Sequence, residues 1–400
     1  MKLKYKLLTV FASFTIISLP SCNRNDDGCT DPNATNYDAG ASDDDGTCEY
    51  DVTAPASYEY TDTEGNSTVS YIGQHQRLNM LTEMVDYMKL ANTSGVVIDG
   101  ATLISMFGNE GYTWDDDEGI DLNNTTKQLR NKTAGGDATI VAQFEGWMND
   151  LGEASTSTEA GSMGVTGVVV STSNPSKQYL MGADGQEFTQ LIEKGLMGAC
   201  FYYNISSVYL SAEKMDVDNS EPVDPEAGKF YTTMEHYWDE AYGYLTESTT
   251  YPQVDTYQNR FWAKYAMGRN EILGSADKLS EAFRLGRAAI SEDIMAVRDQ
   301  QITIINQELE LMIGGTAIHY LNDAVENYSD DALRNHQLSE AKAFIMALPY
   351  GAETSVDFAA SEAILAIIGD DFYNVTTESI LEARDELAAV LGLTEHAEAL

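Results

Sequence analysis

Four cysteines, eight prolines and 23 basic residues set against 64 acidic ones are thin resources for a chain of 400 residues. So few cysteines exclude a disulfide-built scaffold, and a hydrophobic core must hold most of the chain together. The shortage of lysine and arginine leaves a formal net charge of -41. Such a field repels phosphate, which excludes nucleic acid and anionic lipid as partners; it attracts cations and basic partners, and it serves solubility. Beyond the N-terminus no apolar run approaches the roughly 20 residues that a membrane-crossing helix needs. Neither His-Glu-x-x-His, nor a Gly-x-Ser-x-Gly elbow, nor a phosphate-cradling glycine loop occurs, so the common hydrolase and nucleotide signatures are missing.

What is present begins with a leader. Lys2, Lys4 and Lys6 precede an apolar run from Leu7 to Leu19, which ends in Leu19-Pro20-Ser21-Cys22. Basic start, short apolar stretch and terminal small residues read as a secretion signal over residues 1–22. Leu-x-x-Cys at the end of such a run resembles the lipobox of bacterial lipoproteins, with Pro20 a mild departure. The resemblance implies cleavage before Cys22 and acylation there, and lipid chains hold a soluble domain at a membrane surface at roughly 0.8 kcal/mol per buried CH₂. The acidic Asp26-Asp27 just behind resembles a surface-export signal, so the expected location is the outer membrane, lipid-anchored and facing the cell surface.

Residues 23–53 read as an acidic module and linker. Cys29 and Cys48 enclose a segment too poor in apolar residues to build a core, and in an oxidising compartment their disulfide would supply roughly 3 kcal/mol by restricting the unfolded chain. The Gly28-Cys-Thr-Asp start, Asn36-Tyr37 and the Asp44-Asp-Gly-Thr-Cys-Glu-Tyr50 end resemble a small module of secreted bacterial proteins that carries no settled activity. Asp31, Asn33, Asp43, Asp44 and Asp45 are hard oxygen donors of the kind calcium prefers, though they match no EF-hand loop; a solvated acidic spacer is the alternative.

From about residue 54 to Tyr71 alternating tyrosines suggest an extended lead-in, after which helical periodicity takes over to about residue 395. Leu78, Leu81, Val85 and Met88 mark a helix over 74–90. A polar, Gly-, Ser- and Thr-rich excursion over about 131–185 contains a short hairpin candidate at Val165–Val170. Asp224-Pro225-Glu226 reads as a cap that opens a helix carrying Phe230, Met234, Tyr237, Ala241 and Leu245. Ile302, Ile305, Leu309 and Met312 mark another, as do Ile364, Ile368 and Phe372, then Ile380, Ala383, Leu387 and Leu391. Ser329 and Ser355 are expected caps, and Cys200 falls in apolar helix as inert core. The expected fold is all-α, a multi-helix bundle with minor β structure.

The candidate chemistry is sparse. His236 and Glu240, one turn apart and off the apolar stripe near Gly243, could ligate one metal or form a hydrogen-bonded pair. His319, seven residues beyond Met312, is expected to face the interior. The acidic run Asp115–Glu118 reads as a solvated loop.

Three blocks in order, Gly73-Gln-His-Gln-Arg-Leu-Asn-Met-Leu-Thr-Glu83, Glu187-Phe-Thr-Gln-Leu-Ile-Glu-Lys-Gly-Leu-Met-Gly-Ala199 and His236-Tyr-Trp-Asp-Glu-Ala-Tyr-Gly-Tyr244, resemble the lipoprotein family called domain of unknown function 4856, over roughly residues 57–392. That family is similar to imelysin-like proteins, helical bundles of bacterial envelopes linked with iron or haem acquisition and sometimes labelled peptidases. Their Gly-x-His-x-x-Glu signature fails here: Leu78 follows His75 where Glu belongs, His236 has Met234 and Asp239 at the flanking positions, and His319 has Ala317 and Asn322. The resemblance implies a non-enzymatic envelope lipoprotein that binds an iron-containing ligand or an outer-membrane partner. The alternatives are a zinc- or iron-dependent peptidase using His236, Glu240 and His319, and a structural or adhesive surface protein.

Overall fold

In the computed structural model, residues 27–115, 119–253 and 258–400 are described. Cys22 and the leader lie outside them, as do residues 116–118 of the acidic run. Packing divides the chain between Asp51 and Val52 into two units.

The first unit is held by its own turns. Two-residue strands β1 (Asp27–Gly28) and β2 (Asp43–Asp44) pair in parallel, and Cys29 is joined to Cys48. The Asn36 amide donates to Thr47 O at 2.6 Å and accepts from Glu49 N at 2.8 Å, the side chain standing in for a missing ladder.

The second unit is helical. Helices α1 (Ile72–Leu90), α2 (Gly100–Gly108) and α3 (Ala138–Ala154) are followed by an antiparallel hairpin of β3 (Gly167–Val170) and β4 (Gln178–Met181). Next come α4 (Phe188–Leu196), which runs on as π-helical turns over Met197–Tyr202 and Asn204–Tyr209, and the single turn α5 (Ala212–Met215). The C-terminal half holds α6 (Thr233–Leu245), α7 (Phe261–Leu273), α8 (Ser275–Ser291), α9 (Met295–Glu326), α10 (Asp331–Ala347), α11 (Phe358–Ile368) and α12 (Thr377–Val390).

The 32-residue α9 is the axis of the bundle, packed against α7, α8, α10 and α12. Ile305, Leu309, Met312 and Ile318 are fully buried, and Ile302 half-buried. A Cβ on Gly314 would overlap the Leu391 side chain, so this glycine lets the end of α12 close over α9. Where the helix of 188–209 widens into π turns, the Asn204 amide donates to Cys200 O at 2.6 Å, satisfying a carbonyl the wider turn leaves over, and to Lys132 O at 2.8 Å in the 3₁₀ segment Arg130–Gly136. Cys200 is buried there as expected, and burial pushes its thiol up to about 12.

Several local expectations move. The 131–185 excursion contains α3, whose buried Phe144, Met148 and Leu151 step by four and three but are diluted by polar neighbours; Asp137 caps it by accepting from Thr139 N and Ile140 N. The hairpin partner of β3 lies at Gln178–Met181 and not within 165–170, because Ser171–Lys177 forms a longer connection. Asp224-Pro225 caps only a 3₁₀ turn, and Phe230 lies before the long helix, which starts at Thr233 behind a Thr232–Glu235 capping box. Asp330 and Asp357, not Ser329 and Ser355, cap α10 and α11. In each case a residue with a carboxylate or hydroxyl closer to the first free N–H won.

Candidate functional site

The lead-in of 58–71 lies extended across α6 and α8. Tyr58 N donates to Thr249 O at 2.7 Å, Thr68 N to Tyr60 O at 3.0 Å, and Asp62 closes the turn between by accepting from Asn66 N at 2.8 Å. Beneath it runs a buried ionic network. Arg287, fully buried on α8, donates to Asp239 Oδ1 at 3.0 Å, to Glu235 Oε1 at 2.6 Å and to Thr68 O at 3.1 Å. Asp239 also accepts from the Tyr58 hydroxyl at 2.8 Å and from Ser70 N at 3.0 Å. Burial pushes the Asp239 carboxyl up to about 6, against the pull of Arg287 and these hydrogen bonds, which leaves it ionised at neutral pH.

Above this network opens a cleft of about 610 Å³, lined by Tyr60, Val69, Tyr71, Ile72 and His75, with buried Tyr58 on its floor and Glu59 on its rim. Its size suits a small molecule, for which pockets of roughly 300–1,000 Å³ are usual. Tyr58 stands at 79° to Tyr60 and 65° to Tyr71, and Tyr71 at 64° to the His75 ring, so faces and edges alternate around the floor. Burial, with Arg260 nearby, lowers the His75 pKa to about 4, so the ring is neutral at pH 7, and its Nε2 is buried without a hydrogen-bond partner. Ile72 is 56% exposed at the edge of the cleft.

Of the residues singled out from sequence, His236 and Glu240 lie side by side, while His319 takes other partners. His236 Nδ1 lies 2.9 Å from Ser70 O and its Nε2 3.9 Å from Glu240, whose Oε1 accepts from Gln74 Nε2 at 3.0 Å. A Cβ on Gly243 would fall 2.7 Å from Tyr71 Cβ, so the glycine does admit α1 and the lead-in against α6. His319 is not an interior residue. Its stripe is covered by the C-terminal turn, which leaves the ring half-buried, with Nδ1 2.6 Å from Leu400 O and Nε2 3.5 Å from Asp323. With partners this separate, His236, Glu240 and His319 do not fit a shared zinc or iron site.

Four of the five proposed calcium donors, Asp31, Asp43, Asp44 and Asp45, accept hydrogen bonds from backbone and side-chain groups of their own module. Asp31 accepts from Asn33 N at 2.9 Å and Tyr50 OH at 2.7 Å, Asp44 from Gly46 N at 3.3 Å and Asp45 from Thr47 N at 3.0 Å; Asp43 meets Ser42 at 3.4 Å. Among the described residues no group of three His, Cys, Asp or Glu side chains is arranged to hold a metal.

A second buried polar cluster escaped the sequence reading. His336 on α10 meets Glu187 at 2.6 Å and Glu340 at 3.6 Å, and stacks on Tyr179 at 4.1 Å. Lys194 joins it, 2.6 Å from Glu193 and 3.6 Å from Glu340. Burial works against the His336 charge, but the two carboxylates hold its pKa above the ordinary value. The signal was available: His336 and Glu340 repeat the one-turn spacing of His236 and Glu240, and the charged pair Glu193-Lys194 sits inside a helix whose other residues carry no charge.

Neither a curated protein nor a solved structure matches the chain. A family model does, over residues 55–394, which takes in the lead-in, the cleft and both buried networks. The chain therefore belongs to the family described as domain of unknown function 4856, DUF4856.

Proposed function

We propose that this protein is a non-enzymatic lipoprotein of the cell envelope, anchored through Cys22 at the outer membrane, whose helical domain binds a small ligand in the cleft over the 58–71 lead-in. One observation carries the ligand reading: the 610 Å³ cleft is walled by aromatic and aliphatic side chains and rests on a fully buried, hydrogen-bonded ionic network. A rigid floor of that kind keeps the walls in place without a ligand, which lowers the ordering cost of binding. The lipid anchor is supported by the Leu19-Pro-Ser-Cys22 boundary, and no described helix is long and apolar enough to cross a membrane.

The test uses residues 22–400 carrying Cys22→Ser in a thermal-shift screen of small molecules, haemin among them, alongside the same protein with Ile72→Arg. Ile72 is exposed, so the variant folds while placing a charge on the cleft wall. A ligand that raises the melting temperature of the parent and not of the variant supports the reading. Ligands that shift both equally, or none at all, refute it.

A further inference from the structure

We infer that this cleft takes a small organic cation, a quaternary ammonium or a protonated amine. The inference rests on the cleft being the ligand site and names the class of ligand.

Aromatic rings come first. Tyr60 and Tyr71 line the cleft beside buried Tyr58, and a tyrosine face attracts a cation within about 6 Å through its quadrupole. Tyr60 already does this on its interior side, where the buried Arg287 guanidinium lies 4.7 Å over the ring.

The balance of charge points the same way. No lysine or arginine lines the cleft. Glu59, exposed on the rim and held by Ser57 Oγ at 2.8 Å, places a carboxylate at the mouth. Three guanidinium groups stand behind the walls, and each is engaged: Arg287 by Asp239 and Glu235, Arg260 by Glu247 at 2.9 Å, and Arg284 by Tyr251 O at 3.1 Å and Ser280 Oγ at 2.6 Å. Against them stand four carboxylates, Glu59, Glu235, Asp239 and Glu247, so the surroundings carry a surplus negative charge. At the Tyr71 hydroxyl this surplus is felt directly. After burial, the groups that raise its pKa are Asp239, Glu247 and Glu59. His75 is neutral and adds no charge. An anion would find no lysine or arginine lining the cleft, whereas an ammonium group would meet aromatic side chains and a carboxylate together.

The experiment is calorimetric titration of residues 22–400 carrying Cys22→Ser with choline, with 3,3-dimethylbutanol, its uncharged carbon analogue, and with acetate, at low ionic strength. Choline is expected to bind, the analogue at least about tenfold more weakly, and acetate not at all. Glu59→Gln and Tyr60→Leu are each expected to weaken choline roughly five- to tenfold. Glu59 is exposed, so its variant keeps the melting curve of the parent and stands on its own should Tyr60→Leu unfold the lead-in. Equal binding of choline and its analogue would overturn the cation assignment while leaving the cleft as a ligand site. Absence of choline binding at millimolar concentration, or tighter binding of acetate, would also overturn it. In those cases the Ile72→Arg screen decides separately whether the cleft binds anything.

Discussion

The Tyr58 hydroxyl donates to Asp239 at 2.8 Å across 181 residues of sequence, and this bond fastens the lead-in to α6 at the centre of the ionic network. Arg287, on α8, holds the same carboxylate oxygen at 3.0 Å. The floor of the cleft is thus one shared acceptor between three segments.

Asp239→Ala is expected to destabilise the protein by about 3–5 kcal/mol, because it leaves a fully buried guanidinium short of a partner. Tyr58→Phe removes one neutral donor and should cost only about 1–2 kcal/mol. Urea melts of both variants measure the difference; equal costs would mean that Asp239 does not anchor the network.

His75 and His336 should pull stability in opposite directions with pH. For His75 the folded pKa is about 4 against 6.5 for the free side chain. The unfolded chain binds the extra proton between those values, so stability falls as pH drops from about 6.5 toward 4, by up to roughly 3 kcal/mol. His75→Phe should flatten that limb in melts from pH 4 to 7, and an unchanged slope would show that the ring is not desolvated.

His336 has a raised folded pKa. Its stabilisation is complete below about pH 6.5 and is lost as pH rises through the folded value, when the imidazolium between Glu187 and Glu340 gives up its proton. His336→Gln should therefore lose stability most at pH 6 and least at pH 9. A difference that does not vary with pH would contradict a charged pair.

Asp330 ties the β3–β4 connection to α10, its Oδ2 accepting from Ser171 Oγ at 2.7 Å, Ser173 N at 3.0 Å and Ser173 Oγ at 2.8 Å. Burial opposes its charge, but these bonds prevail and hold its pKa well below the usual carboxylate range. The tie persists above the ordinary carboxylate pKa and is lost as pH falls through the folded one. Asp330→Ala should raise amide hydrogen exchange across residues 168–174 while leaving α9 protected; unchanged exchange would show that the hairpin is held by other contacts.

Much of the helical architecture was legible because apolar residues at three- and four-residue steps report burial directly. The α1 stripe of Leu78, Leu81, Val85 and Met88 is buried throughout. Helix α3 was missed because its Phe144, Met148 and Leu151 stand among glycine and acidic residues, so local composition hid the period. Caps were misplaced by one or two residues where Ser precedes Asp, since either side chain can serve and only backbone geometry selects one.

The amino-acid sequence by itself determined the mostly helical class, the acidic balance and the residues able to form the Cys29–Cys48 link. These follow from composition and local periodicity, which need no knowledge of distant neighbours. Only the tertiary structure decided which polar residues meet. His236 and His319 take separate partners, His336 finds Glu187 across 149 residues, and Tyr58 finds Asp239 across 181. Such pairings depend on how helices cross, which side-chain spacing within any one helix does not specify.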